Sequence, residues 1–172
     1  MTKLLYVMRH AKSSWKDPTV PDFERPLARR GEKAARRMAV HLARALPSPK
    51  LVLCSPAIRA VQTYEPIAEL LGHSVEAQID DELYGASGTA LLARLRALPE
   101  EVGPVLLIAH NPGVQDLLIE LARDAGPARL DVLRAGFPTG ALATFRVTSR
   151  WSELGPSTAS MEDLVMPRAL SG

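Results

Sequence analysis

The segment Leu4-Leu5-Tyr6-Val7-Met8 is an unbroken apolar run that turns at once into Arg9-His10. Apolar residues in succession, without polar alternation, read as a strand buried on both faces, as in the interior of a parallel sheet. Two further runs have the same character, Leu51-Val52-Leu53-Cys54 and Val105-Leu106-Leu107-Ile108-Ala109. Val75 to Ile79 alternates and reads as a strand nearer an edge, and Gly140 to Val147 as a later strand.

Helical spacing fills the intervals. From about Arg30 to Leu46, Ala34, Met38, Leu42 and Ala45 recur every three to four residues, and Pro47 and Pro49 end the pattern. Ser55-Pro56 predicts an N-cap and first helical residue for a helix carrying Ile58, Val61, Ile67, Leu70 and Leu71, with Pro66 a kink or break and Gly72 its end. Ser87-Gly88 caps a helix through Leu98, and His110-Asn111-Pro112-Gly113 turns into another through about Leu121. Lys12 to Arg25, with Pro18 and Pro21, reads as an exposed loop, and the tail after Ser149 yields only a short edge strand at Val165-Met166. This alternation predicts an α/β fold: three α/β/α layers around a mainly parallel open sheet, one domain over 1-172.

Composition bounds the function classes. With 172 residues, 47% hydrophobic, 23% charged and a net charge of +2, the chain reads as one globular domain. No apolar run approaches the roughly 20 residues of a membrane helix. The start Met1-Thr2-Lys3-Leu4-Leu5 lacks signal-peptide design and Cys54 is the single cysteine, so the expectation is a cytoplasmic protein. Basic residues are scattered and aromatics make up 5%, which argues against nucleic acid. No His/Cys/Asp group has metal-ligand spacing, and no cofactor is expected.

In open parallel sheets, ligands bind beyond the carboxyl ends of the strands. Arg9 and His10 follow the first strand, Ser55 and Arg59 the second, His110 the third, and Asp80-Asp81-Glu82 the weaker one. Two guanidiniums beside helix N-termini suit a phosphate dianion. A neutral imidazole can attack phosphorus and form a phosphoramidate that water hydrolyses, while the arginines stabilise the transferring group.

The stretch Leu5-Tyr6-Val7-Met8-Arg9-His10-Ala11 resembles the signature of the histidine phosphatase superfamily, with its phosphoglycerate mutase-like fold. Ser55-Pro56-Ala57-Ile58-Arg59-Ala60-Val61-Gln62-Thr63 is similar to the second motif, Ala109-His110-Asn111-Pro112-Gly113 to the third, and Arg25-Pro26-Leu27 with Arg30-Gly31 to the segment opening the first long helix. The short chain and the His-Asn-Pro form resemble SixA-type phosphohistidine phosphatases most. The resemblance implies that His10 is the phosphorylated nucleophile and that Arg9, Arg59 and His110 bind the phosphoryl group. Asn111, Ser55 and Arg25 join the expected substrate contacts. Ala11 stands where the family has glycine. The larger members carry a glutamate acid, for which Glu82 is the nearest candidate.

The implied partner is a protein bearing phosphohistidine. Small phosphomonoesters, a mutase reaction and a catalytically silent phosphate-binding module are the alternatives. His41 and His73 read as structural or exposed, Cys54 as core, and Lys12 and Trp15 as rim or loop residues.

Overall fold

The computed structural model describes residues 3–44 and 47–170. Its elements are β1 (Lys3–Arg9), α1 (Arg29–Arg44), β2 (Leu51–Cys54), α2 (Ile58–Leu71), β3 (Glu76–Ile79), α3 (Gly88–Arg96), β4 (Val105–Ala109), α4 (Gly113–Leu121), α5 (Pro127–Ala135), β5 (Leu142–Val147) and β6 (Ala159–Val165). The strands form one sheet in the order β3-β2-β4-β1-β5-β6. Pairs β1–β4, β2–β4 and β2–β3 are parallel, whereas β1–β5 and β5–β6 are antiparallel. The mainly parallel α/β sheet expected from the apolar runs is therefore present, extended on one side by an antiparallel pair.

Alternation along the strands splits the core in two. Leu5 and Val7 of β1, Leu53 of β2 and Leu107 of β4 face the side covered by Leu91 and Leu95 of α3 and Leu117 and Leu121 of α4. Tyr6 and Met8, Val52 and Cys54, and Leu106 and Ile108 face the side covered by Met38 and Leu42 of α1 and Ala60 and Ile67 of α2. Each strand thus buries both faces, which is why its sequence shows no polar alternation. No helix among the described residues is long and apolar enough to cross a membrane.

Several local expectations change. Ser55 is not the cap of α2: the helix begins at Ile58 after Ala57, and the Ser55 hydroxyl turns to His110 instead. Pro66 does not break α2, which runs on to Leu71. Ser87 does cap α3, its hydroxyl accepting from the Ala90 N–H at 3.1 Å, but the helix stops at Arg96 and Leu98 packs beyond it. The expected end of α1 at Ala45-Leu46 lies outside the described residues. Helix α5 was not signalled by hydrophobic periodicity; only Leu133 of it is buried. Its markers are Gly126 before Pro127 at the start and Gly136 at the end, with φ of 96° and 147° at the glycines. Strand β6 runs over Ala159–Val165 rather than Val165-Met166, its alternation blurred by an irregularity opposite Thr144 and Phe145.

One close approach fixes the site's frame. A Cβ on Gly31 would stand 2.1 Å from the Lys12 carbonyl oxygen, so the first turn of α1 packs backbone to backbone on the segment after His10. That same oxygen accepts from the Ala28 N–H at 2.8 Å.

Candidate active site

The parallel strands β1, β2 and β4 end on the same side of the sheet, and each delivers one part of the cluster. His10 follows β1 and is 6% exposed. Its Nδ1 lies 2.7 Å from the Ala11 carbonyl, and its Nε2 lies 3.4 Å from Arg59 Nε. A carbonyl only accepts and a guanidinium only donates. Nδ1 therefore carries the proton and Nε2 presents a lone pair. Burial lowers the His10 pKa to about 3; the Ala11 carbonyl opposes this, and His110, Arg59 and Arg9 add to it. His10 is thus neutral near neutral pH, the form in which an imidazole can attack phosphorus.

His110 mirrors this arrangement. Its Nδ1 accepts from Arg59 Nη2 at 3.3 Å, which leaves the proton on Nε2, 2.6 Å from the Ser55 hydroxyl. Burial, then Arg59, lowers its pKa to about 4 against the pull of Asp22. The two imidazole rings lie 5.0 Å apart, centre to centre.

Arg59 ties the cluster together. Besides His10 and His110, it donates from Nη1 to the Asp22 carbonyl at 2.6 Å and from Nη2 to Asp22 Oδ2 at 3.1 Å. Its backbone carbonyl accepts from the Thr63 hydroxyl at 2.7 Å, and the same hydroxyl accepts from the Ala11 N–H at 2.9 Å. Thr63 thus locks the first turn of α2 to the end of β1. Ala11 is wholly buried with Leu27 and Ala35, so the methyl group standing where the family has glycine is absorbed in a small apolar pocket.

Arg9 donates from Nη1 to the Phe137 carbonyl at 3.0 Å. Its pKa is lowered by burial and by Arg59, and its buried Nε has no hydrogen-bond partner among the described residues. The Phe137 carbonyl also accepts from Asn111 Nδ2 at 3.0 Å, and Asn111 Oδ1 accepts from the Gln115 N–H at 3.2 Å. Both polar ends of Asn111 thus hold Arg9's anchor and the start of α4.

Arg25 is 5% exposed and lies under the Trp15 ring, with its guanidinium carbon 3.5 Å from the ring centre. Its Nε is 4.0 Å from Asp22 Oδ1. Lys12 is half-buried at the base of this loop. Glu82 is exposed in a 3-10 turn over Asp81–Leu83, and its carboxylate makes no hydrogen bond within the described residues. Asp80 accepts from Arg94 at 2.6 Å and so belongs to the scaffold. Burial pushes the Cys54 thiol up to about 12, which fits a core residue. His41 lies half-buried on α1, away from the cluster's hydrogen bonds, and the His73 side chain lies outside those described.

Sequence reasoning missed two residues. Asp22 lies in the 3-10 turn Asp22–Glu24, and Tyr84 follows the acidic turn. The Tyr84 hydroxyl donates to Asp22 Oδ2 at 2.6 Å, and its ring packs edge-on against Phe23 at 5.0 Å and His110 at 5.6 Å. Asp22 was signalled only by its place three residues before Arg25 in a long loop.

The family model for the histidine phosphatase superfamily (branch 1) matches residues 5–89. The phosphohistidine phosphatase SixA of Escherichia coli K12 is 34% identical over 125 residues, 72% of this chain and 76% of that protein. A structure assigned as SixA phosphohistidine phosphatase from Nakamurella multipartitia superposes with a TM-score of 0.82 at 31% identity, covering 97% of each chain. The protein histidine phosphatase SixA complexed with tungstate superposes with a TM-score of 0.76 at 28% identity, over 96% of this chain and 98% of that one. The cluster at the strand ends and these similarities agree, and the chain belongs to the histidine phosphatase superfamily, where it resembles the SixA phosphohistidine phosphatases.

Proposed function

We propose that this protein removes phosphate from phosphohistidine in a protein partner, with His10 as the covalent nucleophile. The observation that carries the reading is the tautomer of His10: Nδ1–H is held by the Ala11 carbonyl, and the Nε2 lone pair sits beside Arg59. A phosphoryl group bound by Arg59, Arg9 and His110 would have its phosphorus in front of that lone pair. Attack forms the N–P bond as the bond to the leaving imidazole breaks; water then cleaves the N–P bond and restores His10. The two arginines offset charge on the equatorial oxygens in both steps. Arg25 extends the cationic wall toward the rim, while Ser55 and Asn111 act through His110 and Arg9.

A protein-borne substrate fits the rim. Trp15, Phe23, Tyr84 and Ile58 are exposed aromatic or aliphatic side chains, and Phe23 and Tyr84 pack beside the cluster. The similarity to SixA proteins supports the same substrate class. The buried free thiol of Cys54 fits a reducing cytoplasm.

The test is hydrolysis of a phosphohistidine-bearing protein and of p-nitrophenyl phosphate by wild type and His10→Ala, with isotopic trapping of phosphate on His10. Phosphohistidine turnover that vanishes in His10→Ala supports the reading. Turnover of the ester alone moves the substrate to small phosphomonoesters. Phosphate binding with no turnover and no trapped label makes the protein a silent binding module.

A further inference from the structure

No group placed so far protonates the leaving atom, and Glu82, the residue expected there, makes no side-chain hydrogen bond among the described residues. Among the described residues, the carboxylate in direct contact with it is Asp22, which touches Arg59 and Tyr84. We propose, resting on the histidine-phosphatase reading, that Asp22 is the leaving-group acid of this site and the base that activates water in the second step.

Three observations carry this placement. Arg59 reaches His10 through Nε, His110 through Nη2 and Asp22 through Nη2, so one guanidinium spans nucleophile, phosphate ligand and carboxylate. The Asp22 side chain is 55% exposed, so it is open to solvent protons and to an arriving leaving group. Its backbone is fixed, because its carbonyl accepts from Arg59 Nη1 at 2.6 Å and from the Arg25 N–H at 3.2 Å. The carboxyl group therefore pivots on an anchored main chain.

The charged and titratable groups facing Asp22 are Arg59 from α2, Tyr84 after the acidic turn, Arg25 from its own loop and His110 at the end of β4. Hydrogen bonds from Tyr84 and Arg59 hold the carboxyl below its usual range. A phosphoryl dianion that takes over Arg59 removes one of these stabilising partners and sets two negative charges nearby, so the carboxylate gains a proton as substrate docks. The proton comes from solvent or with the substrate's own monoanion.

The steps then balance. With phosphohistidine, His10 Nε2 forms the N–P bond, the old P–N pair returns to the substrate imidazole, and the Asp22 proton lands on that ring's distal nitrogen. Imidazole leaves neutral and Asp22 is left as carboxylate. Water next attacks phosphorus and gives its proton to Asp22; the N–P pair returns to His10, and inorganic phosphate departs.

The experiment compares two small substrates near pH 8. N-phosphoimidazole needs a proton on its distal nitrogen to leave well. N-methyl-N′-phosphoimidazolium has that nitrogen blocked and already cationic, so it needs none. In the rate of phosphoryl transfer to His10, which precedes the water step common to both substrates, Asp22→Asn is expected to slow the first by about 10²-fold or more and the second less than about five-fold, with phosphate trapping on His10 retained. Asp22→Glu should recover part of the loss on the first substrate alone. Equal losses on both substrates would make Asp22 a positioning residue for Arg59 and overturn the assignment, as would no loss on either. Thermal unfolding and inorganic phosphate affinity of each variant identify a folding or binding failure, and Asp22→Glu then carries the comparison. If wild type leaves no label on His10 from either compound, the nucleophile reading fails first, a result distinct from a labelled enzyme indifferent to Asp22→Asn.

Discussion

The Ser55 hydroxyl lies 2.6 Å from His110 Nε2, with Ser55 wholly buried and His110 8% exposed. Because Arg59 donates to the other ring nitrogen, Ser55 fixes which nitrogen of His110 carries its proton. Ser55→Ala strands a buried N–H, so a destabilisation of about 1–3 kcal/mol is expected in urea unfolding. Activity should fall with kcat affected more than KM, because His110 loses its fixed orientation rather than its presence. Ser55→Thr, which keeps the hydroxyl, should recover part of the loss; failure to do so would mean that the site needs serine's volume and not its acceptor.

Acid should weaken the fold through the paired histidines. Their native pKa values, about 3 for His10 and about 4 for His110, lie below the ordinary 6.5 that the unfolded chain shows. The native state therefore binds fewer protons than the unfolded state below pH 6.5. Stability is unaffected by these groups above that value and declines as pH falls toward 4, by up to about 1.4 kcal/mol per pH unit for each histidine. Urea unfolding at pH 7 and pH 5 measures the slope, and His10→Asn should reduce it by about one proton. Catalysis, in contrast, should show no midpoint near 6.5 from His10, since its imidazole stays neutral there; such a midpoint in a folded enzyme would contradict the burial argument.

Gly113 opens α4 directly after the His110 turn, and a Cβ there would stand 2.0 Å from the Ala86 carbonyl oxygen. Backbone meets backbone at that point, so neither side can yield by rotating a side chain. Gly113→Ala should cost about 1–3 kcal/mol and lower activity by shifting His110 against Tyr84. Thermal melts with activity assays check this, and a melt equal to wild type would show that the helix start has room to move.

Trp15 is 64% exposed yet stacks on the Arg25 guanidinium carbon at 3.5 Å. A cation–π contact at an exposed site is worth about 0.5–1 kcal/mol, so Trp15→Ala should raise KM by about two- to five-fold. The melting temperature and kcat should hardly change. A large loss of kcat would instead place Trp15 in the reacting centre.

The sheet's centre was legible because burial on both faces leaves a plain mark: Leu5, Val52 and Leu107 belong to runs that no exposed element carries. His10, Arg9, Arg59 and His110 were legible because strand ends are where such sheets gather ligands. The periphery was not. Strand β6 loses its alternation at the adjacent, exposed Glu162 and Asp163 and reads as loop, and α5 buries Leu133 alone, so periodicity gives no signal. Asp22 escaped notice because its role arises from Arg59, 37 positions away, and from Tyr84, 62 positions away. Local pattern is silent about such partners. Glu82 shows the converse: it has the right residue type after the right strand, but it is exposed and its carboxylate makes no hydrogen bond among the described residues, while Tyr84, two positions on, packs edge-on against His110.

Strand β1 is bonded along its length to β4 on one side and β5 on the other. Its amides can exchange with solvent only when the whole sheet comes apart, whereas the largely exposed stretch Trp15 to Pro21, ahead of the anchored Asp22, can open locally at far smaller cost. Deuterium uptake should accordingly divide the site into a slow half ending at His10 and a fast half carrying the rim. Changes that loosen this stretch would alter the rim without endangering the fold.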